Sequence, residues 1–420
     1  MSDIVNISDK AEWLKSPPLR ALFDALNRDG GEARVVGGAV RNSLLGTRVS
    51  DVDLATTHLP QDTMRLVKDA GFKPVPTGIE HGTVTVVVQG RPFEVTTLRT
   101  DIETNGRHAK VVFGTDWQKD AERRDFTINA LYAKADGTIV DHVGGLADIE
   151  TRTLRFIGDA EARIREDYLR ILRFFRFFAW YGSGRPEADG LRASARLKDG
   201  LNQLSAERVW VELKKLLSAS DPSRALLWMR QSGVLSVILP ESEKWGIDAI
   251  HSLVRTEQEL DWPTDALLRL ESMVPPDAAR VSEMGKRLKM SNAERARLEA
   301  WARQDVVKSE LSEYALKKLL YRSSKQAVLD RVMLGYAAAR GEAAMNDEAM
   351  IKVGAFSRLL ETAQNYEAPL FPVTGADLLT MGIEKGPKLG KILKELEAIW
   401  IESNFSLDKE ELLAKINRDH

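Results

Sequence analysis

The chain has 420 residues, 43% hydrophobic and 29% charged, with a formal net charge of −2 and no cysteine. This is apolar mass enough for globular cores and length enough for two to four domains of roughly 100–200 residues each. It excludes disulfides, thiolate metal sites and a cysteine nucleophile, and it means that any nucleic acid would be held by local basic patches and not by an overall positive field.

The first residues, MSDIVNISDKAEW, carry neither the apolar core of a signal peptide nor the arginine bias of a mitochondrial presequence. No apolar run reaches membrane-spanning length. The expectation is a cytoplasmic protein with no membrane contact and no obligate protein partner.

In chain order, residues 17–27 have helical spacing. Residues 33–36 form a short β-like run that ends in Gly37-Gly38, and helical spacing resumes over 40–45 and stops at Gly46. Residues 52–56 read as extended and 61–70 as a helix closed by Gly71. The Val- and Thr-rich runs 83–88 and 93–98, separated by Gly90-Arg91-Pro92, predict a hairpin. Residues 100–116 show no period and contain Asn105-Gly106, which predicts a flexible loop. Beyond about Thr151 strand-like runs give way to amphipathic helical patterns, interrupted around 182–190 and 275–278. Residues 316–322 mix basic and aromatic side chains. They read either as a contact to an RNA backbone or as a solvated amphipathic helix. Around Gly382, Gly386-Pro387 and Gly390-Lys391 the chain fits either a helix N-terminus offered to phosphate or a tight helix–helix turn.

Two features in the first third carry chemistry. On an extended segment Asp51 and Asp53 share a face, and two carboxylates that close repel unless a cation sits between them. Such a pair suits Mg²⁺, which takes one or two carboxylates plus substrate phosphates; taken alone, such a pair is more often a solvated acidic turn. Glu94, in the run Phe93-Glu94-Val95, is a candidate third carboxylate, or a surface residue paired with an arginine. The second feature is Gly37-Gly38 between a strand and a helix. Glycines there let the backbone approach an anion, and Arg41, one turn on, could reach a phosphate oxygen.

The stretch GGAVRNSLLGTRVSDVDLAT closely resembles the head motif of the class II tRNA nucleotidyltransferases and bacterial poly(A) polymerases, within the DNA polymerase β-like superfamily. Four further stretches follow in the family's order: Arg123 to Leu131, Asp141 with Gly144-Gly145 and Asp148, Glu166 to Arg170, and Glu207-Arg208 with Glu212-Leu213. The resemblance covers roughly Val35 to Leu217 and is loose beyond. Asn42 departs from the pattern, where the family has Asp after the arginine; this bears on how Arg41 is positioned.

The resemblance implies an α+β protein. A nucleotidyltransferase head with a small mixed sheet (residues 1–152) would precede an all-α neck (153–220), body (221–368) and tRNA-binding tail (369–420). It implies CCA addition to tRNA 3′ ends from CTP and ATP. The RNA 3′-hydroxyl would attack the α-phosphate, with Asp51 and Asp53 on two Mg²⁺ ions and the protein itself acting as template. Gly37, Gly38, Arg41, Arg124, Arg173 and Arg176 would bind the nucleotide's phosphates or sugar; for Arg124 a salt bridge to Asp125 or Asp141 is the other reading.

Asp167, Arg170, Arg173 and Arg176 lie three apart, along one stripe of a helix. An Asp acceptor beside an Arg donor satisfies the amino group and ring nitrogen of cytosine or adenine and leaves uracil and guanine unpaired. Asp167 and Arg170 also fit an ordinary i,i+3 helix pair. In the family, residues 100–116 correspond to a loop associated with the switch from C to A addition, which favours full CCA addition over CC addition alone. The alternatives are a poly(A) polymerase, a partial CC- or A-adding enzyme, and an RNA-binding protein without catalysis.

Overall fold

Residues 4–105, 108–243, 247–343 and 346–416 are described in a computed structural model of the protein. The chain separates into two units, Met1–Glu243 and Lys244–His420. The first unit is the α+β part. Helix α1 (Pro17–Leu26) starts on prolines, whose missing N–H costs nothing in a first turn. Then come β1 (Ala33–Val36), α2 (Gly38–Leu44), β2 (Asp53–Thr56), α3 (Pro60–Asp69), β3 (Lys73–Gly78), β4 (Thr83–Val88) and β5 (Arg91–Thr97). After a hairpin of β6 (Arg99–Asn105) and β7 (His108–Phe113) follow α4 (Trp117–Glu122), β8 (Leu131–Ala133), β9 (Ile139–Asp141) and α5 (Gly145–Glu150).

Among the described residues seven strands form one sheet in the order β3-β4-β5-β2-β1-β8-β9. It is mixed: β2 and β5 run parallel, and the other neighbours are antiparallel. The sheet's apolar face is set by alternation. Val84, Val86 and Val88 of β4 and Phe93 and Val95 of β5 are buried, while the residues between them turn outward. The β4–β5 turn falls at Gln89-Gly90, one residue earlier than expected. Both residues have positive φ, the geometry that matches the twist of the flanking strands, and Arg91 and Pro92 already pair with Val88 and Val87.

The expected loop over 100–116 is corrected: β6 and β7 pair antiparallel, Arg99 with Phe113 through Asn105 with His108. Cross-strand pairing holds this segment, and no local period announces it. Gly106 and Arg107 lie outside the described residues.

From Ala160 to Ile238 the first unit is helical: α6 (Ala160–Glu166), α7 (Leu169–Tyr181), α8 (Ala188–Arg196), α9 (Ala206–Leu217), α10 (Ser223–Gln231) and α11 (Val234–Ile238). An aromatic cluster fixes α7 to the sheet-bearing part. Phe174 stacks on Phe156 with ring centroids 5.5 Å apart; Phe126 meets Phe156 at 4.8 Å and Phe177 at 5.4 Å. Burying each ring stabilises the fold by about 1.5–3 kcal/mol, with a further ~0.5–1.5 kcal/mol per well-oriented pair.

The second unit is helical among its described residues. One core gathers Leu316, Leu320, Val328, Val332, Tyr336, Phe356 and Leu359; another gathers Val373, Leu378, Ile392, Leu396, Trp400 and Leu412. The basic–aromatic stretch at 316–322 belongs to the helix Glu313–Arg322. That helix is amphipathic: it buries Leu316 and Leu320, sets Tyr321 edge-on against Trp400 and pairs Lys318 with Glu402 at 2.8 Å. Gly386 caps the helix Pro387–Glu402, with Pro387 in its first turn.

Candidate functional site

The antiparallel register of β1 and β2 sets Val36 opposite Asp53, so the glycine turn that follows β1 stands beside the start of β2. Gly37 has φ 72°, in the left-handed region where a side chain is strained, and a Cβ there would meet the Asn129 carbonyl at 3.4 Å. The backbone conformation is what calls for glycine; the carbonyl contact is an ordinary one. Asp51 and Asp53 are exposed on either side of buried Val52, which puts both carboxylates on one face. Asp51 and Val52 precede the strand, and the extended alternation already runs through them. Leu54 pairs with Val95 on parallel β5, which brings Glu94 alongside. A cleft of about 420 Å³ is lined by Asp51, Asp53 and Glu94 together with Ser50, Thr85 and Arg91.

Electrostatics mark this cleft. Although Asp53 is exposed by surface area, protein crowds its carboxyl closely enough to strip part of its hydration; that desolvation, then Glu94 and then Asp51 push it up to about 6, and Arg124 opposes them. Ser50 donates to Asp51 at 2.8 Å. The donor set fits a hard divalent cation: carboxylate oxygens converge on one cleft, and their repulsion falls when a cation lies between them. Among the described residues no three His, Cys, Asp or Glu side chains form a metal cage on their own.

Arg124 stands at the glycine turn. A Cβ on Gly37 would come within 4.0 Å of its Nη1. The far side of the guanidinium is held by Asp120, at 3.3 Å from Nε and 3.1 Å from Nη2, and by the Tyr132 hydroxyl. The partner is therefore Asp120, and not Asp125 or Asp141, which instead cap the local backbone.

Arg41, expected on a phosphate, turns inward in the structure and is 6% exposed. Asn42 accepts from Nε at 3.1 Å and from Nη2 at 2.9 Å, Asn129 Oδ1 accepts from Nη1, and the Tyr181 hydroxyl lies 2.9 Å from Nη2. The guanidinium also lies 4.1 Å from the Tyr181 ring centre. Asn42, the departure from the family pattern, is thus part of what holds Arg41.

The stripe on α7 is tied to carboxylates that sequence reasoning did not single out. Arg173 donates to Asp125 and Arg176 faces Glu212 at 2.8 Å. Burial raises Asp125, but Arg173, the Asn129 amide and the Phe126 N–H together bring it down to about 2. Asn129 donates to Asp125 at 3.0 Å, so a chain of contacts runs from Arg41 through Asn129 and Asp125 to Arg173. Asp167 and Arg170 do not pair with each other. Asp167 accepts from Arg208 and from the Leu169 N–H; Arg170 donates to Glu166 and to the Arg163 carbonyl. Asp125, Glu166, Arg208 and Glu212 all lie within the motif stretches, and that was the available signal.

Two family models match the chain: the Poly A polymerase head domain over residues 33–155, and the Probable RNA and SrmB- binding site of polymerase A over residues 186–245. The mitochondrial CCA tRNA nucleotidyltransferase 1 of Mus musculus is 35% identical over 98% of this chain and 92% of its own length; that of Danio rerio is 34% identical over 97% and 92%. Among solved structures, the Bacillus stearothermophilus CCA-adding enzyme in complex with CTP superposes with a TM-score of 0.70 at 26% identity, over 95% of this chain and 96% of that one. With these relatives aligned along nearly its whole length, the chain belongs to the CCA tRNA nucleotidyltransferase family.

Proposed function

We propose that this protein adds C, C and A to the 3′ ends of tRNA from CTP and ATP, releasing pyrophosphate at each step. One observation carries the reading: the register of β1 and β2 brings the Gly37 turn against Asp53, whose carboxyl is crowded by Glu94 and Asp51. That arrangement offers a site for triphosphate and a site for cation side by side. The Bacillus stearothermophilus relative, with CTP bound, supports the choice of substrate.

The family generally uses a divalent metal. We assign it here to Asp51 and Asp53, with Glu94 beside them, and name it Mg²⁺ on the all-oxygen donor set. A bound cation supplies charge neutralisation at the triphosphate and acidifies the attacking hydroxyl. The chain's own residues do the rest. The backbone at Gly37 and Gly38 lies along the triphosphate, and Arg124, braced by Asp120, turns Nη1 toward it. Asp167 and Arg170 read the base edge, and Arg173 and Arg176 border the nucleotide from α7. Arg41 joins α2 to α7 and acts as a positioning residue. The 3′-oxygen of the RNA forms a bond to the α-phosphorus, the bond from that phosphorus to the bridging oxygen breaks, and the hydroxyl proton leaves to solvent.

Residues 1–152, 153–220, 221–368 and 369–420 are assigned as head, neck, body and tail. The tail is the tRNA-binding element, supported by exposed Lys385, Lys388, Lys391 and Lys394. Among the described residues no helix is long and apolar enough to cross a membrane. The cysteine-free composition supports a reducing compartment, and we place the protein in the cytoplasm.

Primer extension on tRNA lacking its 3′ end, with each nucleotide alone and in combination, tests the activity. Addition of three residues followed by a stop is expected; a long A tail would make it a poly(A) polymerase, and CC alone or A alone a partial enzyme. Asp51→Ala and Asp53→Ala should each remove at least about 10³-fold of the rate. Full incorporation by either would remove the metal assignment.

A further inference from the structure

Were α7 to begin at Asp167, that carboxylate and Arg170 would stand three residues apart on one helix face and could pair. Asp167 and Arg170 do not pair, although both are largely buried, with side chains 18% and 14% exposed. Asp167 sits at the break between α6 and α7, in extended backbone with φ −156°. Its Oδ1 accepts the Leu169 N–H at 3.1 Å, and its Oδ2 accepts from Arg208 Nη2 of α9 at 2.5 Å. Arg170 is drawn the other way by Glu166 and the Arg163 carbonyl.

We propose that Arg208 is a positioning residue for base selection: it holds the Asp167 carboxylate away from Arg170, so that an acceptor and a donor stay separately available to the incoming base. The inference rests on the assignment of Asp167 and Arg170 as base readers. A carboxylate offers about four lone-pair sites. Two are taken by Leu169 and Arg208, one on each oxygen, which fixes the plane of the group and leaves the others for an amino group. Without Arg208 the Oδ2 atom loses its cation, and Arg170, three residues along the chain, can take its place; a pair between Asp167 and Arg170 consumes both reading groups at once. Uracil then costs the site no more than cytosine, because no acceptor stands ready to be left unpaired.

The test measures kcat and KM for CTP and for UTP on tRNA lacking its 3′ end, with thermal unfolding alongside. Arg208→Ala is expected to lower the preference for CTP over UTP by about tenfold or more, mainly through a higher KM for CTP. Arg208→Lys, which restores one charged donor, is expected to recover part of it. In an Asp167→Ala background Arg208→Ala should change the preference no further, as for two residues acting as one unit. Unchanged preference in Arg208→Ala, or equal loss toward CTP and UTP, overturns the proposal; so does an additive effect in the double variant. If Arg208→Ala does not fold, Arg208→Gln carries the same expectation. Should Asp167→Ala itself keep wild-type preference, the assignment of base readers falls, and that outcome is distinct from failure of Arg208→Ala alone.

Discussion

Asp53 shows what one residue's surroundings impose. Its carboxyl is raised from 3.8 to about 6 by partial loss of hydration in the cleft and by Glu94 and Asp51. The folded chain therefore binds more protons than the unfolded chain between those values, and stability falls as pH rises through about 4 to 6. A bound divalent cation reverses the sign, since the deprotonated carboxylate is then the favoured form. Two outcomes are expected. In chelator, Asp53→Asn should have a higher melting temperature than wild type at pH 7, and the difference should vanish near pH 4. Mg²⁺ should raise the wild-type melting temperature at pH 7.5 and progressively less below pH 6. A Mg²⁺ effect independent of pH would separate Asp53 from the metal. The pair itself was legible from residue type and i,i+2 spacing. The inward turn of Arg41 was not, because its partners Asn129 and Tyr181 are 88 and 140 residues away in sequence.

At the scale of elements, the β6–β7 hairpin and helix α7 carry the testable consequences. The hairpin is a self-paired ribbon outside the seven-stranded sheet, so shortening it leaves the sheet's ladder intact. Deletion of Glu103 to Arg107 is expected to spare C addition and suppress A addition, read by extension with CTP and ATP supplied in turn. Unchanged A addition would sink the link between this hairpin and the switch. Helix α7 depends on the aromatic cluster: Phe174→Ala should cost about 3–5 kcal/mol in denaturant unfolding, since the ring is fully buried against Phe126 and Phe156. How much of the architecture could be read from sequence follows from length and period. Helices of ten or more residues, such as α1 and α3, and the alternating β4 announced themselves. Edge strand β3 hid behind Pro74 and Pro76, and β8 and β9, three residues each, are too short to show alternation. The hairpin at 99–113 is held by pairing between strands, which single-strand patterning cannot display.

Across the whole molecule the charges nearly cancel, at −2 over 420 residues, yet the proposed substrate is a polyanion. Affinity must then come from where the charge is placed. In the second unit Lys388, Lys391 and Lys394 follow one another at intervals of three along the helix Pro387–Glu402, with Lys385 just before it. All four are exposed, and Lys391 meets Glu395 only at 3.7 Å. Ile392, Leu396 and Trp400 of the same helix are buried in the core with Leu378 and Leu412, so the lysines ride on a fixed surface. Replacing Lys388 and Lys391 by Glu leaves that core untouched and should keep the melting temperature within a few degrees of wild type. It should raise KM for tRNA by about tenfold and leave KM for CTP unchanged, because a phosphate that no lysine neutralises keeps its condensed counterions and the entropy of their release is forgone. The dependence of tRNA binding on salt is the sharper measurement. Its logarithmic slope should drop by about 0.7–0.9 for each phosphate no longer neutralised. A double variant with the wild-type slope would show that tRNA lies elsewhere, and the tail assignment would go with it.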